Sequence, residues 1–354
     1  MNFNNNKVVV RDSNMELLRI IAMLLVMIVH ANFRALPVPT TEECNTEVTS
    51  SILRFFTESF SIIAVNLFVL LSGWYGIKFK IQRLIDFLFQ VFFFSILCYF
   101  IFLLLNPIGS YFKSFIVNTL LLKPTNYWFV KAYLGLYIFA PILNAFVETA
   151  TKRQFQVFLV SFFMFQTLYG WITPSAASFF VNGYSTISFI GLYLLARYIH
   201  LYPHRVWKLG KKIDLLFYAL IVLFTTFITY ILQRYNLPGT DRFFLYTSPL
   251  VIIAAVHFLL FFSKIKVANK TINWVARSCF GIYLLHSNSF LATPYYDNVI
   301  LNLFQTLNRN EFILYTSLFI LGVFVIAILF DKIRILIYNY IQRIILYLEQ
   351  IIKI

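Results

Sequence analysis

Residues Glu16–Asn32 read ELLRIIAMLLVMIVHAN. The run is apolar over a length that crosses a bilayer, yet it carries Arg19 and His30. The two stand eleven positions apart, which at 100° and 1.5 Å per residue leaves them about 20° apart on one helix face and about 16 Å apart along the axis. One face of one span therefore presents a permanent cation near one membrane surface and a titratable imidazole near the other. The rest of the chain reads as a cage around that face.

The composition fits such a cage. The chain of 354 residues is 60% hydrophobic and only 12% charged, about half the charged share of a soluble domain. With its repeated apolar runs this gives an all-α, polytopic integral membrane protein. The 42 Phe and 22 Tyr suit lipid-facing helices with aromatics at the interfaces. Cys44, Cys98 and Cys279 are too scattered to indicate a metal motif or a disulfide framework. No small-residue cleavage site follows the first run, so it is expected to stay as a retained helix. Without repeats, low-complexity tracts or an appended soluble part, residues 1–354 read as one transmembrane domain.

Ten spans are predicted, at 15–32, 57–75, 84–105, 127–147, 155–172, 183–199, 213–233, 243–263, 271–291 and 312–330. Ahead of the first lie polar and basic residues, Lys7 and Arg11 among them. Between the first two spans a loop is expected, with Pro37, Pro39, Glu42, Glu43 and Glu47, and with Glu58 at its far edge. Pro107 and Gly109 open another loop, with a short apolar piece at 114–122. Asp331, Lys332 and Arg334 are expected to stop the last span, leaving 335–354 as an amphipathic cytoplasmic tail. An even number of spans puts both termini on one side. With both termini cytoplasmic, the inner segments hold 21 of the 29 Lys and Arg, the outer loops hold 7, and Lys131 lies within a span. That threefold bias sets the orientation and accounts for the net charge of +15 without nucleic acid; the expected location is the cytoplasmic (inner) membrane.

Charged groups inside spans cost roughly 2.5–3.5 kcal/mol on insertion scales, so they face the bundle interior and mark function. Taken alone, Arg19 reads equally as a snorkelling anchor paired with Glu16, and His30 as an interfacial histidine. Their common face favours a functional reading. His286, in SCFGIYLLHSNS, falls near the depth of His30, with Tyr283 one turn below it. It reads otherwise as a packed, hydrogen-bonded histidine. His257 has no polar neighbour in sequence and is read as structural; His200 and His204 lie in a basic loop. The turn Lys78, Lys80, Arg83, with Arg19 on the same side, makes a cytoplasmic positive cluster. It serves topology, and it also suits the phosphates of a nucleotide-like donor. Ser72-Gly73 and Gly135 permit close backbone approach. No P-loop, zinc motif, nucleophile elbow or dinucleotide fingerprint is present.

Together these stretches resemble the acyltransferase 3 family of bacterial membrane proteins. ELLRIIAMLLVMIVHA is similar to the family's arginine, ten residues, histidine pattern, carried by Arg19 and His30. LFVLLSGWYGIKFK resembles its SG segment and basic turn, WFVKAYLGLYIFAPILN its Trp-led helix, FGIYLLHS its late Tyr/His helix, and DKIR its closing motif. The resemblance implies O-acyl transfer, usually of acetyl from acetyl-CoA, to surface sugars, lipid-linked glycans or other exported acceptors. The family's turn often carries an Arg-x-x-Arg pair. Here Lys78, Lys80 and Arg83 stand in its place, and Lys lacks the bidentate fork of Arg. The expected donor site is Arg19, Ser72, Lys78, Lys80 and Arg83, with no metal. His30 is the expected general base, with Tyr283 or His286 stabilising the oxyanion or orienting the acceptor. The rival readings are a transporter or flippase of a polysaccharide precursor, and the same fold moving succinyl.

Overall fold

The computed structural model describes residues 12–106, 111–123, 126–174 and 178–352. Lys7, Arg11, Pro107 and Gly109 lie outside them. The described chain is helical, with no strand. Helix α1 (Ser13–Val29) runs on into a π-helical turn, His30–Arg34. Helices α2 (Thr41–Thr46), α3 (Val48–Ser61) and α4 (Ala64–Tyr75) return the chain to the face where α1 began. That face is called near below, and the opposite one far. Tyr75 Oη donates to Asp12 Oδ2 across the near face. Then come α5 (Ile81–Leu105), α6 (Phe112–Thr119), α7 (Trp128–Thr149), α8 (Lys152–Thr167) and α9 (Thr186–Leu201). The last group is α10 (Lys211–Arg234), α11 (Pro249–Ser263), α12 (Lys270–Ala276), α13 (Cys279–His286), α14 (Asn298–Thr306) and α15 (Arg309–Ile352).

Eight of the predicted spans are helices long and apolar enough to cross a membrane. The other two differ. Helix α9 has 16 residues, about 24 Å of helix against a hydrocarbon core of about 30 Å. The span predicted at 271–291 is split into α12 and α13 at Arg277–Ser278 and ends at His286. A second split, at Ile62–Ile63, divides α3 from α4. Neither break contains Gly or Pro, so hydropathy reads through both.

Two further expectations fail for identifiable reasons. The acidic loop between the first spans is largely helical. Thr40 caps α2 with a reciprocal Thr40–Glu43 box, and α3 begins at Val48. Glu58 is therefore not at a loop edge; it is buried in α3 and accepts from Asn32 Nδ2 at 2.9 Å. The last span does not stop at Asp331. Asp331 is buried and accepts from Arg334 Nε at 2.7 Å and from Gln90 Nε2 at 2.8 Å. The carboxylate that looked like a solvated stop is bonded through Oδ1 inside the bundle, and α15 continues to Ile352.

Helix α1 is the axis, packed by α3, α4, α11, α12 and α13. Lipid is as apolar as leucine, so close packing rather than exclusion of water holds such helices together. At Gly73 an added Cβ would strike the Tyr193 carbonyl and stand 2.8 Å from Ala196 Cβ, fixing α4 against α9. At Gly135 it would strike Thr186, fixing α7 against α9. The periphery is apolar and open: Leu104 is 82% exposed and Met164 69%, a surface suited to acyl chains rather than water.

Candidate active site

Arg19, Met23, Val26 and His30 follow one another at i, i+4, i+7 and i+11, and all four line a cavity of about 330 Å³. Its other walls come from α4, α5, α7 and the α12–α13 break. Arg19 and Arg277 stand toward the near face; His30, Trp128 and Tyr283 close the far end. The face deduced from residue spacing thus lines one cavity. Arg19 also donates to Glu16 Oε2 at 2.6 Å, so the anchor and the cavity wall are the same side chain. Ser72 Oγ donates to Phe68 O at 3.0 Å and lies 3.1 Å from Tyr133 Oη, which leaves the Tyr133 hydroxyl to donate to Ser72.

The far end is built around two histidines. His30 Nδ1 lies 3.0 Å from His286 Nε2, and His286 Nδ1 lies 2.7 Å from the Ile282 carbonyl. A carbonyl only accepts, so His286 carries its proton on Nδ1. In the uncharged pair His286 Nε2 is then the acceptor, and His30 must donate from Nδ1. The chain of bonds leaves Nε2 of His30 as its basic nitrogen. His286 itself is 2% exposed and stands behind His30, outside the cavity lining. Ser287 Oγ, 3.2 Å from His286 Nε2, completes the contact.

The shell around this pair is cross-linked by hydrogen bonds and ring contacts. Asn288 Nδ2 donates to Tyr127 Oη at 2.7 Å, and Tyr127 Oη donates to the Leu284 carbonyl, tying down the end of α13. The Tyr296 ring packs on His286 at 5.4 Å, and its hydroxyl donates to Met27 O at 2.9 Å. Arg34 donates from Nε and Nη2 to Asp297 Oδ1 at 3.1 and 2.7 Å. Burial pushes the Asp297 carboxyl up, and Arg34 pulls against it.

Of the residues singled out in the sequence, Arg19, Ser72, His30 and Tyr283 line one cavity, with His286 bonded behind His30. Arg83 lines a smaller neighbouring cavity that shares Phe87 and Tyr133 as walls. Lys78 and Lys80 are exposed and lie outside both linings. The Lys80 backbone is pinned instead, its N–H donating to Tyr137 Oη at 2.9 Å and its carbonyl accepting from the same hydroxyl at 3.0 Å. Arg277 was missed. It fell inside a predicted span and passed as a topological charge. The Arg34–Asp297 pair was missed because 263 positions separate its members.

A family model for an acyltransferase domain, acyltransferase 3, matches residues 12–332. The chain belongs to the acyltransferase 3 family. No curated protein and no solved structure matches it. As a member of acyltransferase 3 it is a membrane acyltransferase, and the match takes in α1 through the first half of α15, every element that lines the cavity.

Proposed function

We propose that the protein moves an acetyl group from cytoplasmic acetyl-CoA to a hydroxyl of an extracytoplasmic glycan or glycolipid, with Nε2 of His30 as the general base. The observation that carries this reading is the single cavity joining Arg19 to His30. In this reading the near face is cytoplasmic. The donor's phosphates meet Arg19 and Arg277 at the mouth, with Arg83 beside them and Lys78 and Lys80 farther out. The thin pantetheine arm lies along the apolar wall of Met23 and Val26. The distance from Arg19 to His30, about 16 Å of helix, then measures how deep the thioester reaches.

At the far end His30 Nε2 takes the proton of the acceptor hydroxyl as its oxygen attacks the thioester carbonyl. A C–O bond forms and the C–S bond breaks. The departing thiolate takes the proton from His30, which restores the neutral imidazole. Proton transfer of this kind contributes about 10²–10⁴-fold. The Tyr283 hydroxyl and the Trp128 indole N–H, both on the cavity wall, are the donors available to a carbonyl oxygen gaining charge. His286 is a positioning residue: it fixes the tautomer and ring plane of His30, as the third member of a catalytic triad does for its base. Acetyl suits the site better than succinyl. The cations in the lining are Arg19 and Arg277, and Arg34, whose field reaches His30, already donates twice to Asp297.

The test uses purified protein in vesicles, supplied with acetyl-labelled acetyl-CoA and glycan acceptors. Thiol release matched by labelled acceptor is expected, and both should vanish in a normally inserted His30→Ala protein. Undiminished transfer by that variant would overturn the assignment of the base. Acceptor crossing the vesicle wall with no thiol released would overturn the reaction itself in favour of a transporter.

A further inference from the structure

A larger cavity, about 850 Å³, opens on the other side of α1. Helix α1 and the turn after it floor it with Ile28, Ala31 and Asn32, which point away from the row ending at His30. Helix α3 presents Ser50, Arg54 and Thr57 to it, and α15 presents Phe312, Thr316 and Ile320. Each set shares one helix face. The two walls leave a cleft between them at the far face, with exposed Leu53 and Ile313 at its lateral edge.

The cleft is polar at one end and apolar at the other. Glu43, Glu47 and Arg309 stand at the rim; Ile28, Phe312 and Ile320 line the depth. From Arg309 to Ile320 is eleven residues of helix, about 16 Å, close to half of a hydrocarbon core of about 30 Å. Arg54 and Thr316 are polar side chains of its wall. Arg54 is 8% exposed; its Nη2 donates to the Pro37 carbonyl and its plane lies by the Phe33 and Phe304 rings, but Nε has no acceptor among the described residues. Thr316 is also 8% exposed, and its Oγ1 has no partner among them.

We propose that this cleft binds one zwitterionic phospholipid, an ethanolamine lipid. Its phosphate meets the Arg54 guanidinium and Arg309, its ammonium meets Glu43 and Glu47, and one acyl chain lies between α3 and α15. The charge balance selects this headgroup. Two guanidiniums and two carboxylates match a zwitterion, whereas a purely anionic headgroup leaves the carboxylates opposed. The N–H donors of ethanolamine satisfy carboxylates that a choline headgroup cannot. The lipid also backs the turn that holds His30. Asn32 Nδ2, on the cleft floor, donates to the Arg54 carbonyl at 2.9 Å and to Glu58. The inference stands on this cleft alone and does not depend on the acyl-transfer reading.

The test is native mass spectrometry of the full-length protein, with phosphatidylethanolamine, phosphatidylcholine and phosphatidylglycerol supplied in equal amounts. One ethanolamine lipid should be retained at least about tenfold over the other two, the effect of roughly one charge-assisted hydrogen bond. Arg54→Gln should lose it. Ser317→Trp should lose it too: Ser317 is an exposed residue of the cleft wall, and the larger ring fills the space without touching the core. If Arg54→Gln does not fold, Ser317→Trp decides. Equal retention of the three lipids, retention of none, or full retention by Ser317→Trp would each overturn the proposal.

Discussion

His257 and His30 are histidines of opposite kinds, and their contrast separates a brace from a site. His257, in α11, lies 3.1 Å from Asp214 Oδ1 through Nδ1 and stacks on Phe217. Asp214 is fully buried and also accepts from Lys264, which in turn donates to the Leu209 carbonyl at 2.5 Å. Every charge there has a matching charge, and His257 lines neither large cavity. His30 meets no carboxylate among the described residues, only the His286 imidazole at 3.0 Å and, at 3.5 Å, the Ser287 hydroxyl, and it lines the cavity. Burial alone says little about a histidine. A basic nitrogen facing space, held by a bond to the other nitrogen, is what permits proton transfer.

The largest expected difference tests this directly. His30→Ala should lower acyl transfer per inserted molecule by about 10²–10⁴-fold, while His257→Ala leaves the rate per folded molecule within about twofold, since no reacting group touches it. Equal losses from both would erase the distinction. Asp214→Ala should sharpen the contrast from the other side. It strands Lys264 and His257 in a buried setting, at a cost of about 3–5 kcal/mol, read as a lower unfolding temperature in detergent. The turnover of the protein that remains folded should not change.

Next in size is His286→Gln. It keeps a polar side chain but removes the ring that sets the tautomer of His30. The turnover number should fall on the order of a hundredfold, with the donor's KM nearly unchanged, because the loss lies in the transition state and not in binding. A selectively ¹⁵N-labelled His30 should show its proton on Nδ1 in the wild type and shared between both nitrogens in the variant. A fall in donor affinity without a change of tautomer would make His286 a packing residue like His257.

The sequence revealed what lies along one helix and hid what lies between helices. Arg19 and His30 share α1, so a spacing of eleven sufficed to put them on one face. His286 reaches His30 across 256 positions, and the partner of His257 is 43 positions away, separations over which no periodicity carries information. The Thr40–Glu43 capping box was legible and passed unread, because the acids around it looked like loop. Asp331 misled for the reverse reason: a carboxylate flanked by cations reads as an interface, yet it is buried and accepts from Gln90 and Arg334 through Oδ1. The breaks at Ile62–Ile63 and Arg277–Ser278 contain no residue that breaks helices on its own. Hydropathy alone does not see them.

The smallest expected effect concerns the near face, where a cation in the cavity wall contrasts with cations beside it. Arg19 lines the cavity, while Lys78 and Lys80 are exposed on a turn outside it. A hydrogen bond from a charged donor is worth about 1.5–3 kcal/mol, so Arg19→Gln should raise the donor's KM by about tenfold or more. Lys78→Ala and Lys80→Ala act through water and salt, where a Debye length of about 8 Å screens them, and each should change KM by about twofold at most. Their effect should fade as salt is raised, whereas that of Arg19 persists. If Lys80→Ala matched Arg19→Gln at high salt, the donor's phosphates would sit over the α4–α5 turn. The cavity would then guide only the arm, and its mouth would no longer choose the donor.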